Sequence, residues 1–210
     1  MYLRHIDNAL MPLRCVFCGG RTVLPERSIC TGCGAELSRI ESPVAPASSP
    51  LERVVTPLAY EFPIDAAIKA YKFRRRLYYA AAFAEILRAA CGDVPGDVDA
   101  VLPVPLHWRR QWWRGFNQAR EIGRPVARFL EVPLIDTVGR RRATPSQSGL
   151  TSRERARNLR AAFVVRGRLP YRHVLIVDDV ITTGTTVDEL ARTVRGAGVG
   201  KVSALAVARA

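Results

Sequence analysis

Residues 174 to 187, Val174-Leu-Ile-Val-Asp178-Asp179-Val-Ile-Thr182-Thr183-Gly184-Thr185-Thr186-Val187, constrain the fold more than any other stretch. Four apolar, mostly β-branched residues in a row predict a strand buried on both faces, as in a parallel sheet covered by helices. Two adjacent carboxylates, Asp178 and Asp179, are expected to end that strand. Small hydroxyl residues around one glycine follow, and then Val187, Leu190, Ala191 and Val194 recur at helical spacing. Strand, polar loop and helix make half of a βαβ unit. In open α/β sheets the ligand sits outside the carboxyl ends of such strands.

Amides at a helix start point outward, unpaired and partly positive. With Gly184 letting the backbone approach closely and four threonine hydroxyls at hand, the loop can cradle a phosphate. It has no lysine and neither Walker A nor GxGxxG spacing. The acids before it would repel a nucleotide's phosphates but suit the hydroxyls of a sugar, so a ribose 5-phosphate matches the loop. An ordinary strand–turn–helix capped by Asp and Thr is the plainer alternative; two acids followed by Thr-Thr-Gly-Thr-Thr are more specific than that.

The stretch Val177 to Thr186 resembles the phosphoribosyl-pyrophosphate (PRPP) signature of type I phosphoribosyltransferases. The resemblance implies that Thr182, Thr183, Gly184, Thr185 and Thr186 hold the 5′-phosphate. Asp178 and Asp179 would hold the ribose hydroxyls, with Mg²⁺ accompanying the diphosphate.

The chain is 210 residues long, enough for one α/β domain and a small appendage. The appendage is visible in the cysteines. Cys15-x2-Cys18 and Cys30-x2-Cys33, eleven residues apart, have the spacing of a tetrathiolate zinc site. A disulfide framework is the rival, but nothing in the chain looks secreted. Four protein thiolates leave no open coordination position, so the metal is expected to be structural. Residues 1 to 40 are read as this zinc ribbon, which is too small to fold without its ion. Residues 41 to 50, with three prolines and three serines, are read as a linker, and residues 51 to 210 as the α/β domain.

No apolar run approaches the roughly 18 residues of a membrane span, and no secretory signal is apparent, so a cytoplasmic protein is expected. The net charge of +13 favours an anionic partner, either a phosphate ligand, nucleic acid or a membrane surface.

Along the second domain, Val54 to Phe62 suggest one or two short strands, expected antiparallel, and Ile64 to Ala70 a helix. A basic turn, Tyr71-Lys72-Phe73-Arg74-Arg75-Arg76, precedes a second helix over residues 77 to 90. Residues 100 to 105 read as a buried strand ending in proline. In the next segment three tryptophans interleave with arginines, an arrangement that can stack bases and bind phosphates. Trp108 and Trp112 lie four apart, so a helical face with packed indoles fits equally well. Pro125 should kink or restart a helix spanning about 117 to 130. Residues 136 to 160 carry seven arginines and few large apolars, and read as a mobile functional loop. Lys201 to Val207 is a last strand, reached through Gly196, Gly198 and Gly200.

Pro103-Val104-Pro105 with Arg114-Gly115-Phe116-Asn117-Gln118 resembles the ComF family of phosphoribosyltransferase-like proteins, whose members commonly carry an N-terminal double zinc knuckle. Arg142, Thr144, Gln147, Leu150, Arg155, Asn158 and Phe163 extend the likeness. It implies a type I phosphoribosyltransferase fold, in which a central parallel sheet is flanked by helices. Lys72 would help at the diphosphate, with Arg142, Gln147, Arg155, Asn158, Arg114 and Asn117 as loop candidates. Transfer of the phosphoribosyl group to an acceptor is one expected function. The family's association with natural competence makes single-stranded DNA or the competence machinery a second expected partner, with PRPP then a regulatory ligand.

Overall fold

The computed structural model describes residues 14–22, 28–41, 49–141 and 162–210. A five-stranded, all-parallel sheet organises it. β1 (Arg53–Val55) and β2 (Leu58–Ala59) pair with successive stretches of β7 (Lys201–Arg209). On the other side of β7 lies β6 (His173–Ile181), followed by β3 (Ala100–Pro103), whose outer side is bridged in parallel by Leu134. The expectation of antiparallel pairing for residues 54 to 62 is therefore overturned. These residues line the edge of β7 in parallel, Arg53 opposite Ser203 and Leu58 opposite Ala208. A short apolar run shows that a strand forms but carries nothing about its direction.

β6 and β7 occupy the middle of the sheet, and their residues from Val174 to Val177 and from Val202 to Ala208 are fully buried. Side chains alternate between faces along a strand. Val174 and Ile176 pack toward α6 (Thr185–Gly196), through Val187, Leu190, Ala191 and Val194. Leu175 and Val177 pack toward the opposite layer. That layer is built from α2 (Ile64–Phe73), α3 (Tyr79–Ala89) and α5 (Gln118–Phe129), which contribute Ile68, Tyr71, Phe83, Leu87, Ile122 and Val126. Each buried side chain of this size stabilises the fold by about 1.5–3 kcal/mol relative to exposure.

Of the two outcomes expected at Pro125 a restarted helix is excluded, and the expected end of β6 is corrected. α5 runs unbroken through Pro125, forgoing one amide at that position. The helix packs closely on the sheet at Gly123, where an added Cβ would lie 3.4 Å from Pro103 and 3.7 Å from Val177. β6 does not end at the carboxylates; pairing with β7 continues to Ile181.

Between β3 and α5 lies the short helix α4 (Trp108–Arg114), closed by Gly115 at φ 84°. Its Trp108, Trp112 and Trp113 are 64%, 84% and 59% exposed, so the alternative of packed indoles fails. The segment read as a polar loop from residue 136 begins with a strand, β4 (Val138–Arg140), which pairs antiparallel with β5 (Phe163–Val165). Residues 142 to 161, including Arg142, Gln147, Arg155 and Asn158, lie outside the described residues. So do residues 42 to 48 of the segment read as a linker.

The N-terminal cysteine segment contains one short helix, α1 (Thr31–Ala35). It is fastened to the sheet domain by the Ser28 amide donating to Glu85 Oε2 (2.9 Å). Backbone bonds Ile40 N–H to Pro57 O (3.1 Å) and Ala59 N–H to Ser38 O (2.9 Å) add to this, and Leu37 enters the core. No helix among the described residues is long and apolar enough to cross a membrane.

Candidate functional site

The carboxyl ends of β6 and β3 open into a cavity of about 270 Å³. Two aspartates enter its wall because β6 presents consecutive residues to opposite faces. Asp179 follows the parity of Leu175 and Val177 and meets α2, where Lys72 in the last turn places Nζ 2.9 Å from Asp179 Oδ1. Asp178 follows Val174 and Ile176 and lines both this cavity and a smaller one formed by residues 180 to 187.

The electrostatics of the pair are unbalanced. Asp179 is only 3% exposed, and its Oδ2 is buried with no hydrogen-bond partner. Asp178 Oδ1 accepts from the Asp179 amide at 2.9 Å. Burial, reinforced by the neighbouring Asp179 carboxylate, pushes Asp178 up to about 8, against the weaker pull of Lys72. Burial alone would lower Lys72, but the two carboxylates outweigh it and hold the ammonium above its usual value. An unsatisfied buried acceptor and a half-neutralised acid pair fit an incoming cation or hydroxyl donor.

The opposite wall is basic. Arg110 and Arg114 come from α4 and Arg140 from β4. Arg114 lies 5.2 Å over the Phe73 ring, and Arg140 5.5 Å over Phe163. Burial lowers both guanidinium groups below their ordinary value; for Arg114, attraction to Asp179 opposes the shift. With Lys72, four cations face two carboxylates, which makes the cavity a place for an anion that also carries hydroxyls.

The threonine loop adjoins at Asp178, Val180 and Thr186, which line both cavities. Gly184, at φ 76°, is the N-cap of α6 and offers no side chain to cap the first-turn amides. Thr183 Oγ1 and Thr185 Oγ1 lie 2.8 Å apart. The first-turn residues of α6 thus line the small cavity without a side-chain cap, and uncapped helix-start amides suit a phosphate.

Sequence and structure agree unevenly here. Asp178, Asp179, Lys72, Arg114, Asn117 and Thr186 share one cavity, and Thr182, Thr183, Gly184 and Thr185 line its neighbour. Asn117 already has a structural role. Its Oδ1 caps the Ala119 and Arg120 amides, and its Nδ2 donates to Val104 O at 3.2 Å. Arg110, Gln118 and Arg140 also line the cavity, and sequence reasoning misses them as site residues. In the sequence Arg110 stands out only as part of the tryptophan–arginine segment, and Arg140 only as part of a loop. The cue for Arg140 is its place two residues after the apolar Val138, hence on one face of a strand.

A separate cluster stands at the N-terminal segment. The sulfurs of Cys15, Cys18, Cys30 and Cys33 all lie within 4.8 Å of one another, and those of Cys18 and Cys30 are 3.8 Å apart. A tetrahedral ion with Zn–S bonds of about 2.3 Å requires edges of about 3.8 Å. Amides of Gly20 and Cys33 donate to Cys18 and Cys30 sulfurs at 3.4 Å, the knuckle pattern of bound thiolates. For Cys15, backbone hydrogen bonds overcome burial and bring the thiol down to about 6. Cys33 is pushed up by burial and by the surrounding sulfurs. Crowded thiols that cannot all ionise together are what a divalent cation relieves.

Residues 117–210 match the family model of the phosphoribosyl transferase domain. The sheet, the acid pair and the threonine loop thus belong to a phosphoribosyltransferase-type protein. Over 94% of this chain and 97% of the relative, the sequence is 30% identical to "Competence protein F" of Haemophilus influenzae. It is 35% identical to "DNA utilization protein YhgH" of Escherichia coli K12 over 85% of this chain and 82% of that one. The orotate phosphoribosyltransferase of Aeropyrum pernix superposes with a TM-score of 0.39 at 22% identity, covering 63% of each chain. The chain belongs to the ComF family of phosphoribosyltransferase-domain proteins.

Proposed function

We propose that the protein binds phosphoribosyl pyrophosphate with Mg²⁺ across the two joined cavities and transfers its phosphoribosyl group to an acceptor. The observation that supports this reading is their shared wall: Asp178 lines both the small cavity at the Thr182–Thr186 loop and the larger one lined by Lys72, Arg110, Arg114 and Arg140. In this arrangement the 5′-phosphate takes the Thr182–Thr186 loop. The ribose hydroxyls donate to Asp178 and to the unpartnered Asp179 Oδ2. Lys72, Arg110, Arg114 and Arg140 face the diphosphate. Bound Mg²⁺, held largely by diphosphate oxygens and water, would neutralise the leaving group. As the bond from the anomeric carbon to the diphosphate breaks, its electron pair leaves with the diphosphate. The acid pair then stabilises the positive charge developing on the sugar. The acceptor closes the step by bonding to that carbon. Asp178, Asp179 and Lys72 are the catalytic residues in this reading.

Calorimetry tests it. The parent should bind PRPP in the presence of Mg²⁺, and Asp178→Asn combined with Asp179→Asn should abolish the heat. Equal affinity in the double variant would falsify the sugar-site assignment. The four-cysteine cluster is read as a structural zinc site. Cys18→Ser should release one zinc per chain, measured by metal analysis, and broaden the melting of the N-terminal segment. A full zinc complement in that variant would place the ion elsewhere.

A second reading, single-stranded DNA binding with PRPP as a regulatory ligand, is favoured by one observation. Trp108, Trp112 and Trp113 all stand in solvent beside arginines, with Arg109 lying 5.3 Å over Trp108. The relatives' names, which speak of competence and DNA utilization, agree with it. Tryptophan fluorescence titrated with oligonucleotide should respond at low salt and weaken steeply as salt rises. Both readings place the protein in the cytoplasm.

A further inference from the structure

A groove of about 410 Å³ runs between the cysteine knuckle and α2. Phe17 of the knuckle, Phe62 ahead of α2, and Tyr78 and Tyr79 at the start of α3 form its walls. Phe62 is 81% exposed and Tyr78 51%, so large apolar faces stand in solvent there. Tyr78 and Tyr79 lie 4.6 Å apart, and Phe17 6.2 Å from Tyr79, so three rings form an open array. The floor is made of Ala66, Ala67 and Ala70, whose small side chains leave the space between the rings empty.

The rim carries Arg74 and Arg76, and no carboxylate among the described residues lines the groove. Neither arginine has an ion-pair partner within 4 Å among the described residues. Between them, Arg75 turns at φ 53° and donates from Nη2 to Trp113 O at 2.6 Å. This bond joins the groove's basic rim to the end of α4. The exposed rings of the groove and the exposed indoles of α4 thus flank one arginine turn, and the other side of α4 supplies Arg110 and Arg114 to the ligand cavity.

We propose that this groove is a single-stranded nucleic-acid site. Bases stack on Phe62 and Tyr78, Arg74 and Arg76 hold the phosphates, and the strand continues over the arginine turn to the tryptophans of α4. Stacking platforms beside backbone cations are what an unpaired strand requires. A duplex would offer no free base faces, and an acidic peptide would leave the rings unused. The site rests on the second reading given above, and assigns to it a location that the tryptophans alone do not reach.

Fluorescence anisotropy with a labelled oligothymidylate of about twelve nucleotides tests the groove on the full chain. The parent should bind. Phe62→Ala with Tyr78→Ala, both at exposed positions, should weaken binding at least about tenfold. Arg74→Gln with Arg76→Gln should flatten the logarithmic salt dependence by about one to two units. If the parent does not bind, both the DNA reading and the groove fall. If the parent binds, the aromatic double variant stays within about twofold and Trp112→Ala abolishes binding, the groove alone is overturned and the DNA reading survives on α4. Should the aromatic double variant instead convert a dimer to a monomer in sedimentation, the groove is a self-association face and the proposal is wrong.

Discussion

Strand β6 carries buried polar groups at both ends, and the two ends are finished differently. At its start, His173 is 1% exposed and fully engaged. Nδ1 lies 2.7 Å from Asp97 Oδ1, and Nε2 lies 2.9 Å from Ser203 Oγ on β7. Lys201 Nζ donates to the other Asp97 oxygen at 3.0 Å, and Asp99 accepts the amides of Arg172 and His173. Asp, His and Ser are a triad in name, but Ser203 is completely buried and no substrate can reach it. At the far end, Asp179 has one oxygen on Lys72 and the other on nothing, beside a cavity. The closed network stabilises the sheet. The open one holds its residues in a costly arrangement that a ligand can complete.

That contrast can be broken most forcefully at the closed end. His173→Ala strips Asp97 and the buried Ser203 hydroxyl of a partner and leaves a void, so unfolding stability should fall by about 2–4 kcal/mol. PRPP affinity of the folded fraction should stay within about twofold. Denaturant melts and calorimetry on one preparation give both numbers. A variant as stable as the parent would mean that the network is not a structural staple.

At the open end the sign should reverse. Because Asp178 sits at about 8 in the folded chain, and unfolded aspartate titrates near 3.9, the folded state holds the extra proton between those values. Stability is therefore lost as pH rises from about 4 through about 8. Asp178→Asn should remove that slope and raise stability at neutral pH on the order of 2 kcal/mol, while PRPP binding collapses. Thermal melts at pH 5 and pH 8 measure it. A variant that is less stable at pH 8 than the parent would show that the ionised carboxylate is well solvated, and the open end not costly at all.

The same contrast explains what is legible in the sequence. The Val174–Val177 run announces a two-faced buried strand because an unbroken, mostly β-branched apolar run bounded by polar residues has few other uses. The acid pair and threonine loop announce the site because chemistry there is local, confined to consecutive residues. The four cysteines are legible for the same reason. What local pattern does not carry is placement across the sheet. Nothing near Arg140 in sequence says that it shares a cavity with Arg110 and Asp178, and nothing in residues 54 to 62 says that they run parallel to β7. The His173 network is invisible in the sequence because Asp97 and Ser203 lie 76 and 30 residues away from His173. Pro125 does not separate two helices, since α5 is one helix from Gln118 to Phe129.

The smallest effect is expected at the rim of the closed end, and it separates the buried part of that network from its exposed part. Hydrogen bonds from Lys201 first, and then from His173, hold the Asp97 carboxyl below the usual carboxylate range. An acid with a depressed pKa contributes stability above its unfolded pKa and loses it as pH falls through the folded one. Asp97→Asn should therefore cost little at any pH, and its difference from the parent should shrink toward zero below about pH 4. Because Asp97 and Lys201 are more than half exposed, salt should erase most of the effect. Melts of both proteins at pH 3 and pH 7, with and without added salt, decide it. A loss at pH 7 as large as that of His173→Ala, and insensitive to salt, would mean that the histidine depends on Asp97 for its orientation, and that the closed end is one cooperative unit from rim to core.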